Sequence, residues 1–255
     1  MKNRMKAQLL SHGPAFGVSV MIPSPQIVDM VGRLGFDWVL IDCEHGTISR
    51  ESVELMVMAA EANGITPIAR PTTSSPDAIL QVLECGALGV QVPHVSTARE
   101  ARRAVEAVKY HPLGSRSLAA GTRPAGYGFG ASMAAYVEEA NRETLVCIQL
   151  EDEEALRNLD ELLKVAGIDV FFLGPSDLAQ SLGYPGRSDA PQVRHAIDAA
   201  VAKIVAAGRL AGSPARAETV RGLLQQGVRY IYTHVPALLA SASREFLSAA
   251  RALSM

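Results

Sequence analysis

Residues 65–101 read ITPIARPTTSSPDAILQVLECGALGVQVPHVSTAREA, and this stretch decides how the whole chain is organised. The run ITPIAR is short and largely apolar, which predicts a strand covered on both faces. Ser75 followed by Pro76 then marks a helix start, with a capping hydroxyl ahead of a proline at the first helical position. Gly86 stands where that helix must stop, and ALGVQVP predicts the next strand. Thr97 with Glu100 forms a capping box that opens a further helix.

The same rhythm continues in both directions. FGVSVMI, DWVLID, TLVCIQL, DVFFLG, RLAGS and RYIYTH bring the strand candidates to eight, with segments of helical period between them. Ser24-Pro25 repeats the cap-and-proline start, and Gly35, Gly64, Gly167, Gly208 and Gly227 repeat the glycine stop. Eight such units in 255 residues predict a TIM (β/α)8 barrel, one domain spanning residues 1–255. The rival, a doubly wound sheet, lacks its G-x-G-x-x-G fingerprint after the first strand. One stretch breaks the pattern: YHPLGSRSLAAGTRPAGYGFGA, residues 110–131, is rich in Gly, Pro and Arg, and we expect an ordered functional loop near the barrel mouth.

Composition narrows the function classes. A formal charge of −2 and scattered basic residues argue against a nucleic-acid or anionic-membrane partner, and a hydrophobic content of 48% supplies a full core. The N-terminal MKNRMKAQLLSHG is too polar for a signal peptide, and no run approaches a membrane span. A soluble cytoplasmic protein is the expectation. Cys43, Cys85 and Cys147 are odd in number, have no metal-type spacing and sit in or beside apolar runs, so they read as reduced buried thiols.

In a barrel of this kind, polar residues just after each strand face a shared pocket. Those positions hold Asp42, Glu44 and His45, then Arg70, His94, Gln149 with Glu151, Ser176 with Asp177, Ser213, and His234. Glu151 and Asp177 are placed to share a hard divalent cation such as Mg²⁺ or Mn²⁺, with water or substrate oxygens completing the shell. Glu151 also begins EDEEALRNLDELL, where the helix dipole alone would favour an acid, so both readings stand.

Six separated segments, GFDWVLIDCEHG, PIARP, LECGALGVQVPHVSTAREA, YHPLGSRS, CIQLED and VFFLGPSDLAQSLG, together resemble the HpcH/HpaI aldolase family, the metal-dependent pyruvate aldolases that act on 4-hydroxy-2-oxo acids. The resemblance runs from about residue 5 to residue 250. It implies that Glu151 and Asp177 bind the metal, Mg²⁺ or Mn²⁺ with Co²⁺ or Zn²⁺ as further candidates. It implies that Arg70 holds the oxygen of bound pyruvate, that Gln149 and the backbone of Gly174, Pro175 and Ser176 position its carboxylate, and that His45 is the acid/base residue. Asp42 faces the substrate beside His45, while Glu44 either supports the site or orients the turn.

Two positions depart from the family pattern. Glu84 stands where the family has an aspartate that orients the histidine; it precedes the fourth strand, so it reaches His45 only from a neighbouring subunit, and a solvated helix-end glutamate is the other reading. IYTHVPALL replaces a Gly-x-Asp pattern, leaving His234 to contact the aldehyde or to pack against the last helix.

The chemistry is consistent on its own terms. Cleaving an aldol, or deprotonating the methyl of pyruvate, leaves an enolate whose charge a divalent ion and Arg70 are suited to stabilise. The alternative, a lysine Schiff base, needs a lysine at the rim, and Lys2, Lys6, Lys109, Lys164 and Lys203 all lie in the N-terminal segment or in helices. We therefore expect a class II aldolase that reversibly cleaves 4-hydroxy-2-oxo acids to pyruvate, or hydroxypyruvate, and an aldehyde. The alternatives are a malyl- or citramalyl-CoA-type lyase and oxaloacetate decarboxylation at the same site. The last helix, ALLASASREFLSAARAL, is apolar around most of its circumference and wants more cover than one barrel provides. A homohexamer that exchanges this helix between subunits follows from the resemblance.

Overall fold

The computed structural model describes residues 2–252. Eight strands close on themselves: β1 (Ala15–Val20), β2 (Trp38–Asp42), β3 (Thr66–Arg70), β4 (Gly89–Val92), β5 (Leu145–Leu150), β6 (Val170–Leu173), β7 (Leu210–Pro214) and β8 (Tyr230–His234). Every pairing is parallel, and β8 returns to β1 with Ala15 opposite Tyr230 and Ser19 opposite His234. Each expected strand is present. Parallel neighbours need a covered crossover, so the chain wraps the sheet in helices: α1 (Arg4–Leu10), α2 (Pro25–Arg33), α3 (Arg50–Ala62), α4 (Pro76–Glu84), α5 (Ala98–Val108), α6 (Met133–Glu143), α7 (Glu153–Arg157), α8 (Leu159–Leu163), α9 (Pro175–Ser181), α10 (Pro191–Ala206), α11 (Val220–Gln225) and α12 (Val235–Ala252).

The helix ends form for the reasons the sequence suggests. Ser24 and Ser75 accept hydrogen bonds from the backbone N–H of Ile27 and Ala78, each ahead of a first-turn proline. Thr97 and Glu100 exchange the two bonds of a capping box. Gly35, Gly64, Gly86, Gly167, Gly208 and Gly227 all adopt positive φ where helices must turn back.

Strand alternation divides the core in two. Ala15, Trp38, Leu40, Ile68, Leu145, Cys147, Val170, Phe172, Tyr230 and Tyr232 fill the barrel interior, and α1 closes its lower end with Met5 and Leu9. The opposite strand faces, with Val39, Ile41, Val90, Ile148 and Phe171, pack against the helices. Cys43, Cys85 and Cys147 are buried free thiols, and burial pushes the Cys43 thiol up to about 12.

The segment at residues 110–131 is ordered but lies at the other end of the barrel from the mouth. Its Arg116 donates to Glu84 at 2.9 Å and its Arg123 pairs with Glu61, both acids at the C-terminal ends of the helices that lead into β4 and β3. Chain direction explains the difference. The segment follows the helix α5 and leads through α6 into β5, so it belongs to the face where strands begin.

Helix α12 leaves Leu238, Leu239, Phe246 and Leu247 exposed, and no residue in it is buried within one chain. Leu253, the last residue of the stretch read as this helix, lies outside the described residues. Among the described residues no helix is long and apolar enough to cross a membrane.

Candidate active site

The site is built around a buried ion pair. Asp42 ends β2 and Arg70 ends β3, and the strand register sets them side by side. Arg70 Nε donates to Asp42 Oδ1 at 2.9 Å, and Arg70 Nη2 donates to Asp42 Oδ2. The pair is two-pronged and dry, with Asp42 fully buried and Arg70 5% exposed. Burial opposes the charge on Arg70, but the bonds to Asp42 outweigh it and raise its pKa.

Asp42 Oδ1 also accepts from the backbone N–H groups of Glu44 at 3.2 Å and His45 at 3.3 Å. One carboxylate therefore shapes the turn and holds the guanidinium. Gly46 completes that turn because a side chain there would sit 2.3 Å from the Asp42 carbonyl oxygen. The result presents His45 to solvent, its side chain about half exposed, with Nε2 3.9 Å from Glu44 Oε2.

The remaining donors of Arg70 point toward β5. Nη1 donates to Gln149 Oε1 at 3.2 Å and lies 3.2 Å from Glu44 Oε2, a charge contact without hydrogen-bond alignment. Gln149 Nε2 donates in turn to Glu151 Oε2. Below them Gln91 Nε2 donates to Gln149 Oε1, and the Tyr230 hydroxyl donates to Gln91 Oε1 at 3.1 Å, so the Gln149 amide is fixed in orientation. Gln91, hidden in the apolar run GVQVP, gave no signal in the sequence beyond its inward phase.

Glu151 is only 3% exposed. Burial pushes its pKa up, and bonds from His94 and Gln149 offset this in part. Asp152, not Glu151, caps the helix that follows, accepting from the Ala155 N–H at 2.7 Å. Capping therefore does not account for Glu151, which points into the barrel mouth.

Asp177 sits half-buried in the first turn of α9, behind Gly174 and Pro175. Gly174 approaches Glu151 so closely that a side chain there would meet Glu151 Oε2 at 2.9 Å. Glycine at this position leaves room for the Glu151 carboxylate to pack against the start of α9. Among the described residues no three His, Cys, Asp or Glu side chains form a complete metal cage. A buried carboxylate of raised pKa at the end of β5 and a half-buried aspartate in the first turn of α9, both oxygen donors, are of the chemistry that suits a hard divalent ion keeping most of its shell for water or substrate.

His94 leaves β4 with φ of +53°, rare for a residue with a side chain. Its N–H donates to Glu151 Oε1 at 2.7 Å, and its ring reaches both Glu151 and Glu44. His234 ends β8 against the Tyr232 ring, 5.3 Å between centroids, and burial followed by the charge of Arg70 lowers its pKa. Ser213 is buried with its hydroxyl donating to the Pro214 carbonyl. Ser176 is exposed at the start of α9.

Two groups stand apart from this assembly. Glu84 is spent on Arg116 at the opposite end. Lys109 has a pKa pushed down by burial to about 8, the range of a Schiff-base lysine, yet its ammonium is tied to the carbonyls of Asn141 and Thr144 just before β5. A cavity of about 390 Å³ between α4 and α5, lined by Leu80, Arg103 and Arg116, contains none of the rim residues.

An HpcH/HpaI aldolase/citrate lyase family model matches residues 16–231. A hydroxypyruvate/pyruvate aldolase of Sagittula stellata is 34% identical over 239 residues, 93% of each chain. A 2-keto-3-deoxy-L-rhamnonate aldolase of Klebsiella pneumoniae is 36% identical over 244 residues, 94% of this chain and 89% of the relative. The crystal structure of an HpcH/HpaI aldolase/citrate lyase family protein from Burkholderia cenocepacia superposes with a TM-score of 0.92 at 27% identity, covering 98% of this chain and all of that one. An arginine-centred, oxygen-lined rim on a TIM barrel defines the class, and the chain belongs to the HpcH/HpaI aldolase/citrate lyase family.

The Asp42–Arg70 pair makes a direct prediction for stability. Asp42→Ala strands a buried guanidinium and should cost about 3–5 kcal/mol in denaturant unfolding. Asp42→Ala combined with Arg70→Ala should recover part of that loss. Additive losses in the double variant would show that the two groups do not depend on each other.

Proposed function

We propose that this chain is a class II pyruvate aldolase, a carbon–carbon lyase that reversibly cleaves 4-hydroxy-2-oxo acids to pyruvate, or hydroxypyruvate, and an aldehyde. The observation that carries the reading is the buried Arg70 guanidinium, pinned by Asp42 and linked through the Gln149 amide to the buried Glu151 carboxylate. The names of the aldolase relatives support it. Glu151 and Asp177 hold the divalent cation, Mg²⁺ or Mn²⁺. When bound, that ion supplies Lewis acidity toward the oxygens of the 2-oxo acid.

The chain's own residues do the rest. Arg70 holds a fixed positive charge where the keto oxygen becomes an enolate oxygen, and Asp42 removes the freedom that would blunt it. Gln149 and the backbone at Gly174, Pro175 and Ser176 orient the substrate carboxylate. His45 takes the proton of the C4 hydroxyl, the C3–C4 bond breaks, and its electron pair remains on the 2-oxo acid as the enolate while the aldehyde leaves. Protonation of the enolate at C3 then gives the methyl of pyruvate. Within its own chain Glu84 pairs with Arg116 and does not reach His45, so any part it takes in the reaction is toward the His45 of a neighbouring subunit, and the apolar face of α12 is the surface for a hexameric assembly with exchanged last helices. A cytoplasmic setting suits the buried free thiols.

Two assays test this reading. Chelator should abolish cleavage and added Mn²⁺ or Mg²⁺ restore it, whereas full activity in excess chelator or borohydride trapping of pyruvate would overturn the class II assignment.

His45→Ala should bind pyruvate almost normally yet lose aldol cleavage by roughly 10²- to 10⁴-fold. Oxaloacetate decarboxylation, which needs no hydroxyl deprotonation, should survive far better. Equal loss of both reactions would remove His45 from the aldol-base role.

A further inference from the structure

Five side chains from four different strand ends close a circuit around the mouth. Glu151 Oε1 lies 3.0 Å from His94 Nδ1, and His94 Nε2 lies 2.9 Å from Glu44 Oε1. Glu44 Oε2 lies 3.2 Å from Arg70 Nη1, Arg70 Nη1 donates to Gln149 Oε1 at 3.2 Å, and Gln149 Nε2 donates back to Glu151 Oε2. Each member is therefore held from two sides. The circuit joins β5 to the turn after β2 across two intervening strands, which backbone pairing alone does not do.

His94 accepts an unfavourable backbone to make this link. At φ +53° it gives up an ordinary conformation, and in return both its N–H and its ring reach the same oxygen of Glu151. Residues held in such conformations persist only where their surroundings over-determine them. Glu44 is the matching half, with its side chain 11% exposed between a histidine and the Arg70 guanidinium.

We propose that His94 and Glu44 are positioning residues that close this circuit and set the Glu151 carboxylate for the divalent cation. They do not touch the ion. Their effect passes through Glu151, in the way that outer hydrogen-bond partners orient a ligating carboxylate. The inference rests on the reading of Glu151 as a ligand.

The test measures Mn²⁺ binding by calorimetry in the absence of substrate. Glu151→Ala must weaken binding strongly, and failure to do so would remove the ligand assignment and the circuit's purpose with it. With that control in place, His94→Ala and Glu44→Ala should each weaken Mn²⁺ binding by about tenfold or more. The double variant should be little worse than the weaker single, because either change opens the same circuit. His94→Gln, whose amide retains a donor for one carboxylate, should recover part of the affinity. An imidazole that only filled space, or that competed with the ion for Glu151, would leave affinity unchanged or tighten it in His94→Ala. Either result, or losses that multiply in the double variant, would overturn the proposal even if the variants melt at lower temperature.

Discussion

Everything at the mouth depends on one buried carboxylate meeting one buried guanidinium. A charge removed from water needs a partner with good geometry, and Asp42 supplies it through two parallel bonds to Arg70 while also gathering the N–H groups of Glu44 and His45. The turn that presents His45 and the direction in which Arg70 points are thus set by the same atoms. Adjacent parallel strands bring the two residues level, so the barrel's register is what makes the pair possible. The cost of desolvating these ions is accepted at the site rather than in the body of the core, where the interior is filled by Trp38, Phe172, Tyr230 and other large side chains.

The two ends of the barrel divide the labour. At the C-terminal end a carboxylate of raised pKa, an arginine and two exposed histidines are held by amides and by one another. At the N-terminal end Lys109, Arg116 and Arg123 are spent on helix-end carbonyls and on Glu84 and Glu61. The one described lysine with a depressed pKa therefore lies where it cannot attack a substrate at the rim. Its charge holds the approach to β5 in place.

Much of this was legible in the residues because the signals were local. Apolar runs, proline-led helix starts and glycine stops need only a few neighbours to act, and all eight strands formed where they were expected. The rim residues were legible for a related reason: a side chain just past a strand's end has one direction to face in a parallel barrel. What the residues do not mark locally depends on contacts distant in sequence. Gln91 reads as one polar residue in a strand, and only its bond to Gln149, 58 positions away, gives it a purpose. The left-handed backbone of His94 has no marker in its neighbours and is explained by Glu151. For residues 110–131, Gly, Pro and Arg point to a functional loop at the mouth, but their place between a helix and the next strand assigns them to the other end.

The claim that Arg70 stabilises the enolate oxygen is tested most directly by following exchange of the pyruvate methyl protons with deuterium by NMR, because exchange requires the enolate and no aldehyde. Arg70→Ala should lose exchange by about 10²-fold or more, as removal of a donor to a developing oxyanion does. Arg70→Lys should restore only part of it, since an ammonium cannot reproduce the planar fork that meets Asp42. Exchange at the wild-type rate in a folded Arg70→Ala protein would contradict the account and leave the arginine a purely structural partner of Asp42.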